Sequence, residues 1–423
     1  MNNRSPSKQV WLWGLAAGVL LVTLAVAFSE EQPQTPGEDQ CFSCHKDSDA
    51  LPEGLIPDDV HIKTGLSCAG CHGGDRTSND QETAMSPQAG FVGVPSKKDI
   101  PRFCGRCHSD IEFMRRYQPR IPTDQVEQYA TSVHGKRLSE GDAKVADCVS
   151  CHTAHGVLPA SDARSPVYAV NVPKTCKRCH GDSDYMRGYE IPTDQFDKYA
   201  KSVHGVALLE DQDTGSPACN DCHGNHGATP PEVASVGQVC GHCHVNNMQY
   251  FVASAMGKAF EREKLHNCEE CHGNHDVQKT SDDMVGVGDR AVCVNCHSTG
   301  DEGYDAAGQI HDHLTELTTV YQEAELKRSD VDRKGMDDVD ISFLLQEAHQ
   351  VLIQARTLVH TFDPDRVGEK TKEGVLKARQ ALELSASEVK EYRFRRQGFG
   401  LATIFITILV VALYLKIRQM EGR

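Results

Sequence analysis

Two cysteine–histidine clusters, Cys104-Gly-Arg-Cys107-His108 and Cys148-Val-Ser-Cys151-His152, bracket an isolated His134. A second isolated histidine, His155, follows three residues after the last cluster. Cys-x-x-Cys-His brings two thiols and an imidazole together on about one turn of chain. Such a set can form two thioethers to a porphyrin and present the imidazole to its iron, the attachment pattern of c-type haem. An iron held this way needs a sixth ligand, and an isolated histidine can supply it. The stretch from Cys104 to His155 reads as a two-haem module.

The motif recurs along the chain. Before the module stand Cys41, Cys44 and His45, then Cys68, Cys71 and His72. After it come Cys176, Cys179 and His180, then Cys219, Cys222 and His223, then Cys240, Cys243 and His244. Cys268, Cys271 and His272 follow, and Cys293, Cys296 and His297 close the series. The nine motifs use all 18 cysteines of the 423-residue chain, so none is left for a disulfide. Paired Cys-x-x-Cys is also zinc-ribbon spacing. Zinc, however, gives no reason for a histidine to follow the second cysteine in every copy. The expected cofactor is nine covalently attached haem c, with the nine motif histidines as proximal ligands. Aromatic residues make up only 6% of the chain, so the haems themselves must supply much of the buried apolar surface, and apoprotein should be largely unfolded. The formal charge of −16 argues against nucleic acid and suits a soluble basic electron partner.

Nine of the 21 histidines close a motif as proximal ligands, which leaves twelve others. His155, His226 and His275 each follow a proximal histidine by three residues. That is too close to fold over the same haem, so each is expected to reach a neighbour's iron. His134 and His204 are central distal candidates, because Tyr129-Ala-Thr-Ser-Val-His134-Gly135 is repeated as Tyr199-Ala-Lys-Ser-Val-His204-Gly205. Ile121-Pro-Thr-Asp-Gln125 likewise returns at Ile191, which marks an internal duplication. His61 holds a comparable place in the first pair. A looser copy, Phe251-Val-Ala-Ser-Ala-Met256-Gly257, puts Met256 where the others have histidine. A thioether there would raise the potential of one haem; His266 is the alternative ligand. His349 and His360 lie eleven residues apart, which returns a helix to nearly the same face about 16 Å further on. They are the distal candidates for two further haems.

The expected fold is mainly α with extensive irregular loops. Residues 1–29 read as a signal peptide or N-terminal anchor and 30–40 as a linker. Residues 41–302 form the nine-haem cytochrome domain, in which 73–100 is a polar surface loop. Residues 303–396 form an antiparallel helical bundle with helices at 305–327, 340–361 and 367–396. The first should bury Ile310, Leu314, Leu317, Tyr321 and Ala324, and the second Leu344, Ala348, Val351, Ala355 and Val359. In the third, Val375, Ala378, Leu382, Val389 and Tyr392 make a narrower seam. Residues 397–416 are a transmembrane helix, uncharged from 398 to 415, and 417–423 a cytoplasmic tail. Cationic residues flank that segment on both sides, so orientation follows from the haem domain lying outside.

Tyr-x-x-Ser-Val-His-Gly followed by Cys-x-x-Cys-His-Gly-Asn-His resembles the doubled-motif multihaem cytochromes c, over roughly residues 41–297. That superfamily includes membrane-anchored tetrahaem quinol dehydrogenases and the octahaem hydroxylamine oxidoreductase and tetrathionate reductase types. The bundle with its C-terminal membrane helix is also similar to the hydroxylamine oxidoreductase type. Nine haems depart from both four and eight, and no motif ends in lysine as in pentahaem nitrite reductases. The resemblance implies a bacterial inner-membrane protein with its haem domain in the periplasm. It would carry electrons between the quinol pool, or an integral membrane redox subunit, and a periplasmic or outer-membrane cytochrome or reductase. The alternative is an oxidoreductase of the hydroxylamine oxidoreductase or nitrite reductase type with one open iron. At least nine distal candidates for nine irons favour electron transfer over catalysis.

Overall fold

A computed structural model describes residues 39–422 apart from 53, 56 and 230–237. The apolar stretch expected as a signal peptide or anchor, and most of the expected linker, lie outside these residues. Among those described the chain is mostly helical, with no strand. It divides into two compact units, residues 1–94 and 95–423.

In the first unit the helix Gln40–Asp47 carries the first motif and Cys68–His72 the second. Asp39, expected at the end of a linker, is buried and holds the two together. Its Oδ1 accepts the Cys41 amide at 2.9 Å and its Oδ2 the Cys68 amide at 3.3 Å.

In the second unit the haem-motif region is a string of helices mostly four to nine residues long. Isolated helices of that length are marginal in water, so caps and close packing must fix them. The duplicated segment shows how. Ser132 opens the helix Val133–Ser139, its hydroxyl accepting the Gly135 amide at 2.9 Å and donating to the Tyr129 carbonyl at 2.6 Å. Ser202 does the same for Val203–Leu209, at 3.0 Å from Gly205 and 2.7 Å from Tyr199. The glycine after the ligand histidine is required by contact, since a Cβ on Gly135 would fall 2.0 Å from the Tyr129 carbonyl oxygen, and one on Gly205 1.8 Å from that of Tyr199. The tyrosine hydroxyls then tie each copy to the following motif, Tyr129 to the Ala146 carbonyl and Tyr199 to that of Pro217. Serine caps, glycine permits the approach, tyrosine anchors, and the histidine between them is aimed.

The bundle consists of Glu302–Arg333, Val339–Leu358 and Pro364–Glu421. The first helix buries Ile310, Leu314, Leu317 and Ala324, with Tyr321 half-buried. The second buries Ile341, Leu345, Ala348, Leu352 and Ala355. Ala348 and Ala355 are buried as expected, whereas Leu344, Val351 and Val359 only flank that core and Ile341, Leu345 and Leu352 fill it instead. The third helix packs through small residues, Gly368, Thr371, Gly374, Ala378, Ala381 and Ser385. A Cβ on Gly374 would meet the Leu317 side chain at 2.7 Å, so the seam lets the first helix seat a leucine against the backbone. Burial of each such leucine stabilises by about 1.5–3 kcal/mol. The expected third helix and the membrane segment are one continuous helix of 58 residues. Its apolar stretch is wholly exposed, and its length and composition suffice to cross a bilayer.

Bundle and haem region are joined within the second unit. Arg356 donates from Nε and Nη2 to the two Asp282 carboxylate oxygens, both at 2.8 Å, and Thr318 adds a bond at 3.1 Å. Phe251, which replaces the anchoring tyrosine in the third copy, packs edge-on against Phe362 at 6.2 Å.

Candidate haem-binding sites

Among the described residues, pairs of imidazoles face one another at five places in the second unit. His134 stands 6.0 Å from His180 between ring centroids, His152 6.0 Å from His226, His204 6.3 Å from His244, His223 5.9 Å from His275 and His272 6.2 Å from His360. Each pair joins one motif histidine to one isolated histidine. An iron bound by two opposed imidazoles at metal–nitrogen distances of about 2 Å sets the centroids roughly 6 Å apart. The rings are thus separated by the space of one ligated iron, and the pairs fit haem. Zinc does not fit, since among the described residues no three His, Cys, Asp or Glu side chains gather as an ion site would require.

The pairs fall into two kinds. The histidines that trail a motif stack nearly parallel to their partners, at 11° for His226 and 14° for His275. Each serves the motif two before its own. The central histidines are tilted, at 58° for His134 and 44° for His204. Each serves the motif two after the one it follows. Both rules are long-range, which is why spacing alone does not show them.

The proximal rings are oriented by their other nitrogen. His72 Nδ1 lies 2.9 Å from the Gly93 carbonyl, His297 Nδ1 3.0 Å from Asp301, and His45 and His223 Nδ1 3.3 Å from the carbonyls of Ala50 and Thr229. An Nδ1–H committed to an acceptor leaves Nε2 with its lone pair for a metal. Burial, and then the facing His180, hold His134 below the usual histidine range. His204 and His272 are lowered by burial and then by the rings opposite them. All three are kept in the neutral form that ligates.

The thiols add an order. Cys104 stands beside Cys148, Cys176 beside Cys219 and Cys240 beside Cys268. Between pairs, burial and then the adjacent Cys176 push the Cys151 thiol up. Cys222 is raised by burial and then by Cys240, and Cys271 is pushed up to about 11 by burial and then by Cys293. The third to ninth motifs therefore form one unbroken file in chain order. In the first unit Cys41 stands beside Cys68, and burial, followed by Asp39, pushes its thiol up to about 12. Nothing in the spacing of the motifs announces this file.

The remaining expected ligands are placed as follows. His61 Nδ1 lies 3.2 Å from Asp59, and His155 is half-buried. Met256 is half-buried at the position equivalent to His134 and His204. His349 and His360 do not share a face. The second bundle helix ends at Leu358, and a tight turn over Val359–Thr361, closed by Phe362 at φ 53°, swings His360 out to His272. His349 stays on the regular helix and stacks on Tyr321 at 5.6 Å, and among the described residues no motif histidine pairs with it.

A family model described as Cytochrome c3 matches residues 60–181, from His61 through the module to His180. No curated protein and no solved structure matches the chain.

Proposed function

We propose, from the premise that the chain is a multihaem cytochrome c, a class built for electron transfer, that it is a membrane-anchored nine-haem electron conduit. Its haem region would lie in the periplasm of a bacterium and its last helix in the inner membrane. It would carry electrons between the quinol pool or an integral redox subunit and a periplasmic or outer-membrane cytochrome or reductase.

The observation that carries this reading is the unbroken file of motifs from the third to the ninth, flanked by facing imidazoles. When bound, haem supplies reversible one-electron chemistry. The chain's part would be to hold neighbouring groups close and to offer them the facing imidazoles His134 and His180, His152 and His226, His204 and His244, His223 and His275, and His272 and His360. Proximal histidines of adjacent motifs also lie near one another, His108 by His152, His180 by His223 and His244 by His272. A metabolic enzyme would need an accessible iron, whereas a conduit needs this continuity.

One observation favours the second reading, an oxidoreductase with an open iron. Among the described residues no imidazole faces His297. Intact mass and EPR on the detergent-solubilised protein decide between them. A conduit carries nine haems, all low-spin when oxidised. A high-spin signal that shifts on adding nitrite or hydroxylamine overturns the conduit in favour of the enzyme.

A further inference from the structure

We propose that Met256 is the residue opposite His297, which gives the ninth motif His/Met ligation unlike its neighbours. The inference rests on the reading of the chain as haem-loaded and deepens it.

Three observations converge. The first is local fold. Ser254 opens the helix Ala255–Glu263, its hydroxyl accepting the Gly257 amide at 2.9 Å and donating to the Phe251 carbonyl at 2.6 Å. A Cβ on Gly257 would fall 2.1 Å from the Phe251 carbonyl oxygen. These are the contacts that aim His134 and His204, so Met256 leaves the backbone as they do. The second is the offset. His134, between the third and fourth motifs, faces His180 of the fifth, and His204, between the fifth and sixth, faces His244 of the seventh. Met256 lies between the seventh and eighth, so the same step leads to the ninth, to His297.

The third is independent of the helix. The even motif of each pair meets the next odd motif through its second cysteine. Cys151 lies beside Cys176 and Cys179, Cys222 beside Cys240 and Cys243, and Cys271 beside Cys293 and Cys296. The ninth motif therefore stands to the eighth as the fifth does to the fourth, and the frame that carries the offset extends to it. The other nearby imidazoles are placed elsewhere. His313 lies against Gly368 in the bundle, His311 against Gly286, and His266 against Glu269.

The chemical consequence is a distinct potential. A thioether is a weaker donor than imidazole, and His/Met ligation raises the potential of a c-type haem. The ninth motif also packs on the bundle, since a Cβ on Gly303 would fall 2.2 Å from the His297 ring. The most oxidising site would thus terminate the file at the bundle.

The test uses the full chain in detergent, with haem counted by intact mass in every variant. Wild type should show the long-wavelength charge-transfer band of ferric haem with a thioether ligand, at the intensity of one haem. M256A should lose the band and gain one haem's worth of high-spin EPR signal. M256H should lose the band, remain low-spin and lower the most positive midpoint potential. C293S/C296S should abolish the same band by removing that haem. A band that survives M256H or C293S/C296S overturns the assignment, as does wild type with nine haems and no band. A wild-type mass with fewer than nine haems instead sinks the conduit reading, which keeps the two failures separate.

Discussion

Replacing Gly205 by alanine isolates what aims a distal histidine. The added Cβ would sit 1.8 Å from the Tyr199 carbonyl oxygen, whereas real Cβ contacts essentially never fall under 3.0 Å. The two must separate by at least about 1.2 Å, and the obstructing atom is backbone, so no rotamer relieves it. Overpacking of this kind costs about 1–3 kcal/mol. It acts on the residue adjacent to His204, whose ring has only about a 2 Å bond to spend on an iron between it and His244. Movement of that size exceeds what a coordinate bond tolerates. G205A is therefore expected to keep its full haem content by mass and to convert one haem from low- to high-spin by EPR. Gly288 has an ordinary φ, and a Cβ added there would meet nothing within 4 Å, so G288A should leave the spectrum unchanged. A G205A spectrum identical to wild type would refute the claim that this glycine sets the histidine's reach.

Further outcomes are expected. H360A should give one high-spin haem while leaving haem content intact, and should raise the susceptibility of the bundle to limited trypsin digestion; H349A should do neither. R356A should cost about 1 kcal/mol, read as a lower thermal midpoint, because the Arg356 side chain is 45% exposed and its pair is partly screened. Burial pushes the Asp282 carboxyl up, but Arg356, the Thr318 hydroxyl and the nearby His311 together outweigh it and leave the group lowered. The pair's contribution is then full at neutral pH and is lost as pH falls from about 4 through the folded value. R356A should flatten that acid limb of the stability profile. Truncation after Gln397 should move the protein from the membrane fraction to the soluble fraction without changing its haem spectrum.

Much of the site is legible in the sequence because covalent attachment demands local residues. Nine motifs, the central His134 and His204, and the reach of His226 and His275 to other motifs all follow from short spacings. The partnering does not, because His134 with His180 and His152 with His226 depend on how separate modules stack. In the second bundle helix, Leu344-Leu345 and Val351-Leu352 offer two adjacent apolar residues at each turn. Periodicity alone cannot choose between them, and the structure buries the second of each. His349 and His360 would share a face on a regular helix, and nothing in Thr357–Thr361 announces the tight turn that separates them. Gly398 and Gly400 lie where the expected third helix gives way to the apolar segment, yet a Cβ on either would meet nothing within 4 Å, and the helix runs through.

That unbroken last helix sets a stand-off distance. His360 and the His297–Gly303 contact lie at the end of the bundle where Pro364 starts the helix, and the apolar stretch starts near Gly398. At 1.5 Å per residue the intervening stretch measures roughly 50 Å along its axis. On the proposed function the helix would be a stalk, its first half clamped by two partners, that lifts this end of the file clear of the bilayer. On the proposed function, a donor confined to the membrane plane could not reach the eighth and ninth motifs. They would be served by a partner that rises about as far from the membrane as the stalk does.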